Sequence, residues 1–177
     1  VVMRNTLVAY LFLTATLLTV APSVAQAENM DPGNTDEQYA WGENVGWVNL
    51  EPDGDGGPGV QIDDFRVAGW MWGENIGWIS LSCMNRETCH QIPYEVIHDG
   101  AGNLGGHAWS ENVGWIRFSH SEGNVWIDPL DGVMHGYAWG ENIGWIQMGS
   151  ASGPSPYRVV TGWNCSPPPP LPSGGMW

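Results

Sequence analysis

The sequence predicts an all-β domain of four tandem three-stranded antiparallel units, about twelve short strands in all. Three observations predict it. The segment Ala40 to Val48 (AWGENVGWV) returns as Met71 to Ile79 (MWGENIGWI), Ala108 to Ile116 (AWSENVGWI) and Ala138 to Ile146 (AWGENIGWI). Further short β-prone runs stand upstream of the last three copies, set off by turn chemistry such as Asp99-Gly100 and Asp128-Pro129-Leu130-Asp131-Gly132. The helical period is missing after residue 27.

The first segment reads as an address. Arg4 supplies a positive start, Leu7 to Ala21 is an almost unbroken apolar run, and Ala25-Gln26-Ala27 offers a small-x-small cleavage pattern. The run breaks at Pro22, short of the roughly 20 residues a membrane span needs. Residues 1-27 are therefore expected to be a signal peptide, 28-37 an N-terminal linker, 38-163 the four-repeat β domain, and 164-177 a Pro/Gly-rich linker or truncated tail. No other segment is apolar enough for a transmembrane helix after cleavage. The expected location is secreted, periplasmic or at the cell surface.

Each repeat reads as a β-hairpin. Glu-Asn-x-Gly fits a type I turn whose closing Gly accepts the left-handed conformation, the common three-residue hairpin loop. Strands are expected ahead of the turn (Val67 to Trp72, Leu104 to Trp109, Met134 to Trp139) and after it (Trp78 to Leu81, Trp115 to Phe118, Trp145 to Met148). The third strands are Val60 to Ile62, Tyr94 to Val96 and Val125 to Ile127, and Tyr157 to Val160 adds one more. The count comes out even if this last strand completes the first unit. That predicts a closed, propeller- or prism-like domain without free edges; the alternative is an open β-solenoid with capped ends.

Period-two alternation sorts the faces. One carries Val67/Leu104/Met134, Gly69/Gly106/Gly136, Met71/Ala108/Ala138, Ile79/Ile116/Ile146 and Leu81/Phe118/Met148, a small, dry core in which the recurrent Gly implies close backbone approach. The other carries both tryptophans of every motif with Trp70/His107/Tyr137 and Ser80/Arg117/Gln147. The paired indoles flank the turn, so they sit opposite each other across the hairpin.

Composition excludes several functions. The chain has 177 residues, five arginines, no lysine, 19 acidic residues and a net charge of −14. Nucleic acid and anionic membrane surfaces are repelled by such a chain. With 42% hydrophobic and 14% charged residues it is no disordered acidic tail.

The motif A-W-[GS]-E-N-[VI]-G-W-[VI], with its flanking V-x-I-D and H-D-G-A-G-N-L-G-G segments, resembles a widespread group of secreted bacterial proteins with tandem Trp-Glu-Asn-Gly-Trp hairpins. The resemblance spans roughly residues 38 to 163. It takes in the Cys-bounded loop Ser82 to Cys89 and the closing strand Tyr157 to Trp163. It implies an extracellular or cell-envelope location and no particular activity.

Export permits disulfides, and Cys83 and Cys89 bound a short loop where a local bridge is expected. The alternative, haem attachment at Cys89-His90, departs from the usual C-x-x-C-H spacing. Cys165 is left over, as a free thiol or an intermolecular partner. For metals, Asp53 and Asp55 on a Gly-rich loop are weak candidates for Ca²⁺, with a solvated acidic linker as the plainer reading. Copper or zinc would need histidines, and His90, His98, His107, His120 and His135 show no i, i+2 or i, i+4 pair. No cofactor is expected.

No catalytic residue is assigned. Glu43, Glu74, Glu111 and Glu141 occupy equivalent turn positions, whereas an acid and a base need environments that push their pKa values apart. Ser119 and His120 allow a hydrolase set on paper only. The expected function is a non-catalytic, exported envelope or cell-surface module, its partner an envelope component, glycan or protein. A lectin-like alternative assigns ligand contacts to Trp41, Trp47, Trp72, Trp78, Trp109, Trp115, Trp139 and Trp145 with the four turn glutamates, because sugar rings stack on indole faces and carboxylates take hydroxyls. Divalent-metal binding is the third reading.

Overall fold

A computed structural model describes residues 29–52, 59–152 and 155–163. The leader, Asp53, Asp55, Cys165 and the tail lie outside the described residues. In chain order, the first hairpin is β1 (Tyr39–Gly42) and β2 (Gly46–Asn49), followed by β3 (Gln61–Ile62) and β4 (Arg66–Ala68). The second hairpin is β5 (Trp70–Gly73) and β6 (Gly77–Ser80), followed after a 3-10 turn (Cys83–Arg86) by β7 (Val96–His98). The third is β8 (Leu104–Ser110) and β9 (Gly114–Arg117), with β10 (Ser119–His120), β11 (Gly123–Asn124), β12 (Trp126–Ile127) and β13 (Val133–His135) behind it. The fourth is β14 (Tyr137–Gly140) and β15 (Gly144–Gln147), with β16 (Gly149–Ser150) and β17 (Tyr157–Val160) after it.

The turns form as the motif requires. The amide of Val45 donates to the carbonyl of Gly42 (3.3 Å), and Ile76 and Ile143 do the same with Gly73 and Gly140. Gly46, Gly77, Gly114 and Gly144 all lie at φ between 71° and 82°, where a Cβ would be strained.

The four hairpins pair edge to edge and close an eight-stranded antiparallel barrel. β2 pairs with β5, β6 with β8, β9 with β14, and β15 returns to β1. Each junction steps the register by two residues in the same direction (Val48↔Gly73, Ser80↔Trp109, Ile116↔Gly140, Ile146↔Gly42). Such a uniform stagger lets the strands tilt and the sheet close on itself, and with eight strands the interior is just filled by side chains. Where separate blades were expected, lateral pairing merges the hairpins into one continuous sheet. Closure comes from β1 on β15; the last strand, β17, which was expected to complete the first unit, pairs instead with β13 and β16 and is joined to the first unit by the Gln38–Val159 bridge.

Inside the barrel, Ala40, Ala108 and Ala138 alternate with Val48, Ile79, Ile116 and Ile146, all fully buried. The variable turn residue, Val45, Ile76, Val113 or Ile143, folds inward and plugs the mouth where the four tips meet. This explains the preceding Gly: a Cβ on Gly42, Gly73 or Gly140 would stand 2.3 to 2.7 Å from that plug. The third hairpin admits Ser110 in place of glycine.

Below the barrel the chain makes a second layer. β3 pairs with β4, β4 with β7, and β7 with the first half of β8. β12 pairs with β13, and β13 with β17. Single bridges join Asn103 to Trp126, Met30 to Thr161 and Gln38 to Val159. The strands expected as Val67–Trp72 and Met134–Trp139 each break at their glycine. Gly69 and Gly136 take φ of 92° and 84°, and there a Cβ would fall 2.0 and 1.7 Å from the carbonyl oxygens of Gly59 and Asn124. The close approach inferred from those glycines is thus a bulge linking the two layers. β7 is displaced toward His98 from the run expected at Tyr94–Val96.

Candidate functional site

The tryptophans cover the outer wall. Within each hairpin the two indoles are direct cross-strand partners: Trp41↔Trp47, Trp72↔Trp78, Trp109↔Trp115 and Trp139↔Trp145. Their ring centroids lie 4.6 to 5.0 Å apart; three pairs pack edge to face, and Trp139–Trp145 is tilted at 60°. Trp41, Trp47, Trp78 and Trp115 stay 38 to 44% exposed, and Trp72, Trp109, Trp139 and Trp145 are partly buried.

Lateral pairing then creates four grooves, one between each hairpin and the next. A polar residue forms each floor, flanked by a ring on both sides. Asn49 lies between Tyr39 and Trp72, and Ser80 between Trp70 and Trp109. Arg117 lies between His107 and Trp139, and Gln147 between Tyr137 and Trp41. The next hairpin's turn glutamate stands at the rim, so Glu74, Glu111, Glu141 and Glu43 belong to successive grooves.

The outer walls come from the loops, and they make the grooves unequal. The first groove is the largest, about 650 Å³. Tyr157 walls it, with its ring 5.0 Å from Trp47, and Asp36 and Glu74 line it as well. Burial and the nearby Tyr137 push the Tyr157 phenol above its ordinary 10.0. The second groove, about 410 Å³, is partly occupied by a loop of the chain itself. The Cys83–Cys89 disulfide forms as expected and holds a tight loop over β6. From that loop Arg86 reaches in to pair with Glu111, and Asn85 bonds both backbone groups of Gly69 and the Ser80 hydroxyl.

The third groove is lined by Tyr94, whose ring lies 5.4 Å from Trp115, and by His107, Arg117 and His120. His120 Nδ1 accepts the Glu122 amide (3.2 Å), and its ring lies 5.2 Å from Trp145. The fourth groove is the smallest, about 260 Å³, and brings Glu122 opposite Glu43.

The four glutamates, equivalent in the motif, therefore have four different neighbourhoods. The neighbouring asparagines are structural. Asn44 donates to Ile143 O, Asn75 to Val45 O, Asn112 to Ile76 O and Asn142 to Val113 O, all at 3.0 or 3.1 Å. Each tip is thereby latched to the one before it, in a complete circle.

Alternation had placed Ser80, Arg117 and Gln147 on the tryptophan face, but Asn49 and the walls Tyr157, Arg86, Tyr94 and His120 were not foreseen as groove residues. No signal in the motif specifies which hairpins become neighbours or at what stagger. Among the described residues, no three His, Cys, Asp or Glu side chains gather to hold a metal, and no helix is long and apolar enough to cross a membrane. Comparison with protein-family models, curated proteins and solved structures returned no match.

Proposed function

We propose that the chain is an exported, non-catalytic surface module of four repeated units that binds carbohydrate in the grooves between its hairpins. One observation carries the reading: partly exposed indoles border a polar floor and a glutamate rim in the first, third and fourth grooves around one barrel, while in the second Ser80 is fully buried and Arg86 takes Glu111. An indole face suits the apolar C–H face of a sugar ring, while a carboxylate or carboxamide beside it takes the hydroxyls at the ring's edge. Mutual edge packing fixes the rings in advance, so little side-chain freedom is lost on binding. Repetition lets weak single sites add through multivalency.

The first groove is the leading site. It has the greatest volume, the widest aromatic lining and two carboxylates, Asp36 and Glu74. The test is a glycan array followed by titration of tryptophan fluorescence with the oligosaccharides that score. Saturable quenching that Trp47→Ala weakens supports the reading. An array silent at millimolar glycan overturns it, and the module's partner is then a protein or another envelope component.

A further inference from the structure

We infer that the third groove is specialised for an acidic sugar, a hexuronate residue within an otherwise neutral oligosaccharide, whose carboxylate sits on Arg117. The inference rests on the carbohydrate reading and adds which chemistry one groove selects.

Arg117 is chemically unlike the other arginines. Among the described residues, Arg66 pairs with Asp63, Arg86 with Glu111 and Arg158 with Glu37. Arg117 has no carboxylate within 4.0 Å among the described residues, although the chain holds 19 acidic residues against five basic ones. Among the described residues its side-chain hydrogen bond is a long one, from Nε to His107 Nε2 at 3.4 Å. The guanidinium thus keeps donors for a planar two-oxygen acceptor, the geometry that arginine recognises best.

Its position is equally specific. The three other grooves carry neutral Asn49, Ser80 and Gln147 at the floor position. Arg117 takes that position here, with His107 replacing the Tyr39, Trp70 or Tyr137 seen at the flank of the other three. His120 enters from β10, its ring 6.0 Å from Trp139. One guanidinium and two imidazoles therefore gather in a cleft of about 460 Å³ bordered by Trp115 and Trp139. A sugar stacked on these rings can turn its carboxylate to Arg117. Glu141 at the rim repels that carboxylate and accepts hydroxyls, which fixes the orientation. The net charge of −14 disfavours polyanions, so an isolated uronate suits this surface better than a sulfated or phosphorylated polymer.

The test compares oligosaccharides containing one hexuronate with their methyl esters, which keep the ring and lose the charge, by array and by calorimetry on the full chain. The free acids are expected to bind at least about tenfold more tightly than the esters, a preference that falls with salt. Arg117→Gln abolishes it without moving the melting temperature, because the side chain is exposed. Trp47→Ala, in the first groove, leaves it intact. A preference for the acid that survives Arg117→Gln overturns the inference. Equal binding of acid and ester overturns it too, while the general carbohydrate reading stands; binding of no glycan at all removes both.

Discussion

Asn44 donates from Nδ2 to the carbonyl of Ile143, 99 positions further along the chain, at 3.1 Å. This bond closes the circle of four tip latches at the seam where β15 meets β1. An intramolecular hydrogen bond is worth about 1 kcal/mol net, and more when its loss strands a buried partner. Asn44→Asp keeps the shape but removes the donor, so it should lower the unfolding free energy by about 1 kcal/mol in urea titration, as should Asn44→Ala. If neither variant differs from wild type, the latch contributes nothing.

The bulge glycines should be far less tolerant. At Gly136 a new Cβ meets the Asn124 carbonyl at 1.7 Å and φ is 84°, so both sterics and backbone oppose it. Gly136→Ala is expected to cost more than about 2 kcal/mol or to abolish folding. Gly33→Ala meets only the Thr35 side chain at 3.5 Å and should be nearly silent. Thermal melts of the two variants check the contrast; equal losses would contradict it.

Reduction of the Cys83–Cys89 bridge should act locally and globally. The bridge spans six positions, and closing so short a loop contributes about 2 kcal/mol in the chain-entropy account. It also holds Asn85 on Gly69 and Arg86 on Glu111. Reduced protein, or the Cys83→Ser/Cys89→Ser pair, should melt earlier and expose Trp109 to acrylamide quenching. An unchanged melt would show that the loop is held without the bridge.

Acid should loosen the lower layer. In Asp63, burial raises the carboxyl's pKa, but the amides of Phe65 and Arg66 and the Arg66 guanidinium outweigh it and leave the group below its ordinary 3.8. Asp99 is lowered too, by the Asn103 side chain and the amides of Ala101 and Asn103. A depressed folded pKa stabilises above the unfolded value of 3.8 and is lost as pH falls through the lower folded value. The melting temperature should therefore drop below pH 3.8, and Asp99→Asn should flatten that drop. A slope unchanged by the substitution would rule the Asp99 contribution out.

Tyr157 gives the opposite kind of prediction. Its hydroxyl is buried without a hydrogen-bond partner among the described residues, while its ring packs on Trp47. Tyr157→Phe removes the unsatisfied oxygen and keeps the ring, so stability should hold or rise. Tyr157→Ala should destabilise by about 3 kcal/mol or more and widen the first groove. Equilibrium unfolding separates them, and a loss for Phe as large as that for Ala would contradict this account of the ring.

Much of this architecture was legible because its instructions are local. The turn glycines at 46, 77, 114 and 144, the inward and outward faces, the paired indoles and the Cys83–Cys89 bridge all follow from rules within a few residues. The barrel did not follow, because it depends on a two-residue stagger between hairpins about 30 residues apart. The plug of Val45, Ile76, Val113 and Ile143 and the asparagine latches depend on the same stagger. Groove walls such as Tyr157 and Arg86 come from segments that do not repeat, so the motif says nothing about them.

The most direct test of the central claim is a titration of the tryptophan indole N–H resonances with a binding oligosaccharide, followed by two-dimensional NMR. Trp163 is an internal reference: it is 6% exposed, and its Nε1 donates to Asp64. The account predicts saturable shifts at groove indoles, with Trp47 among the largest, and a stationary Trp163. Indoles that all stay still at millimolar glycan, or that move together with Trp163, would contradict it.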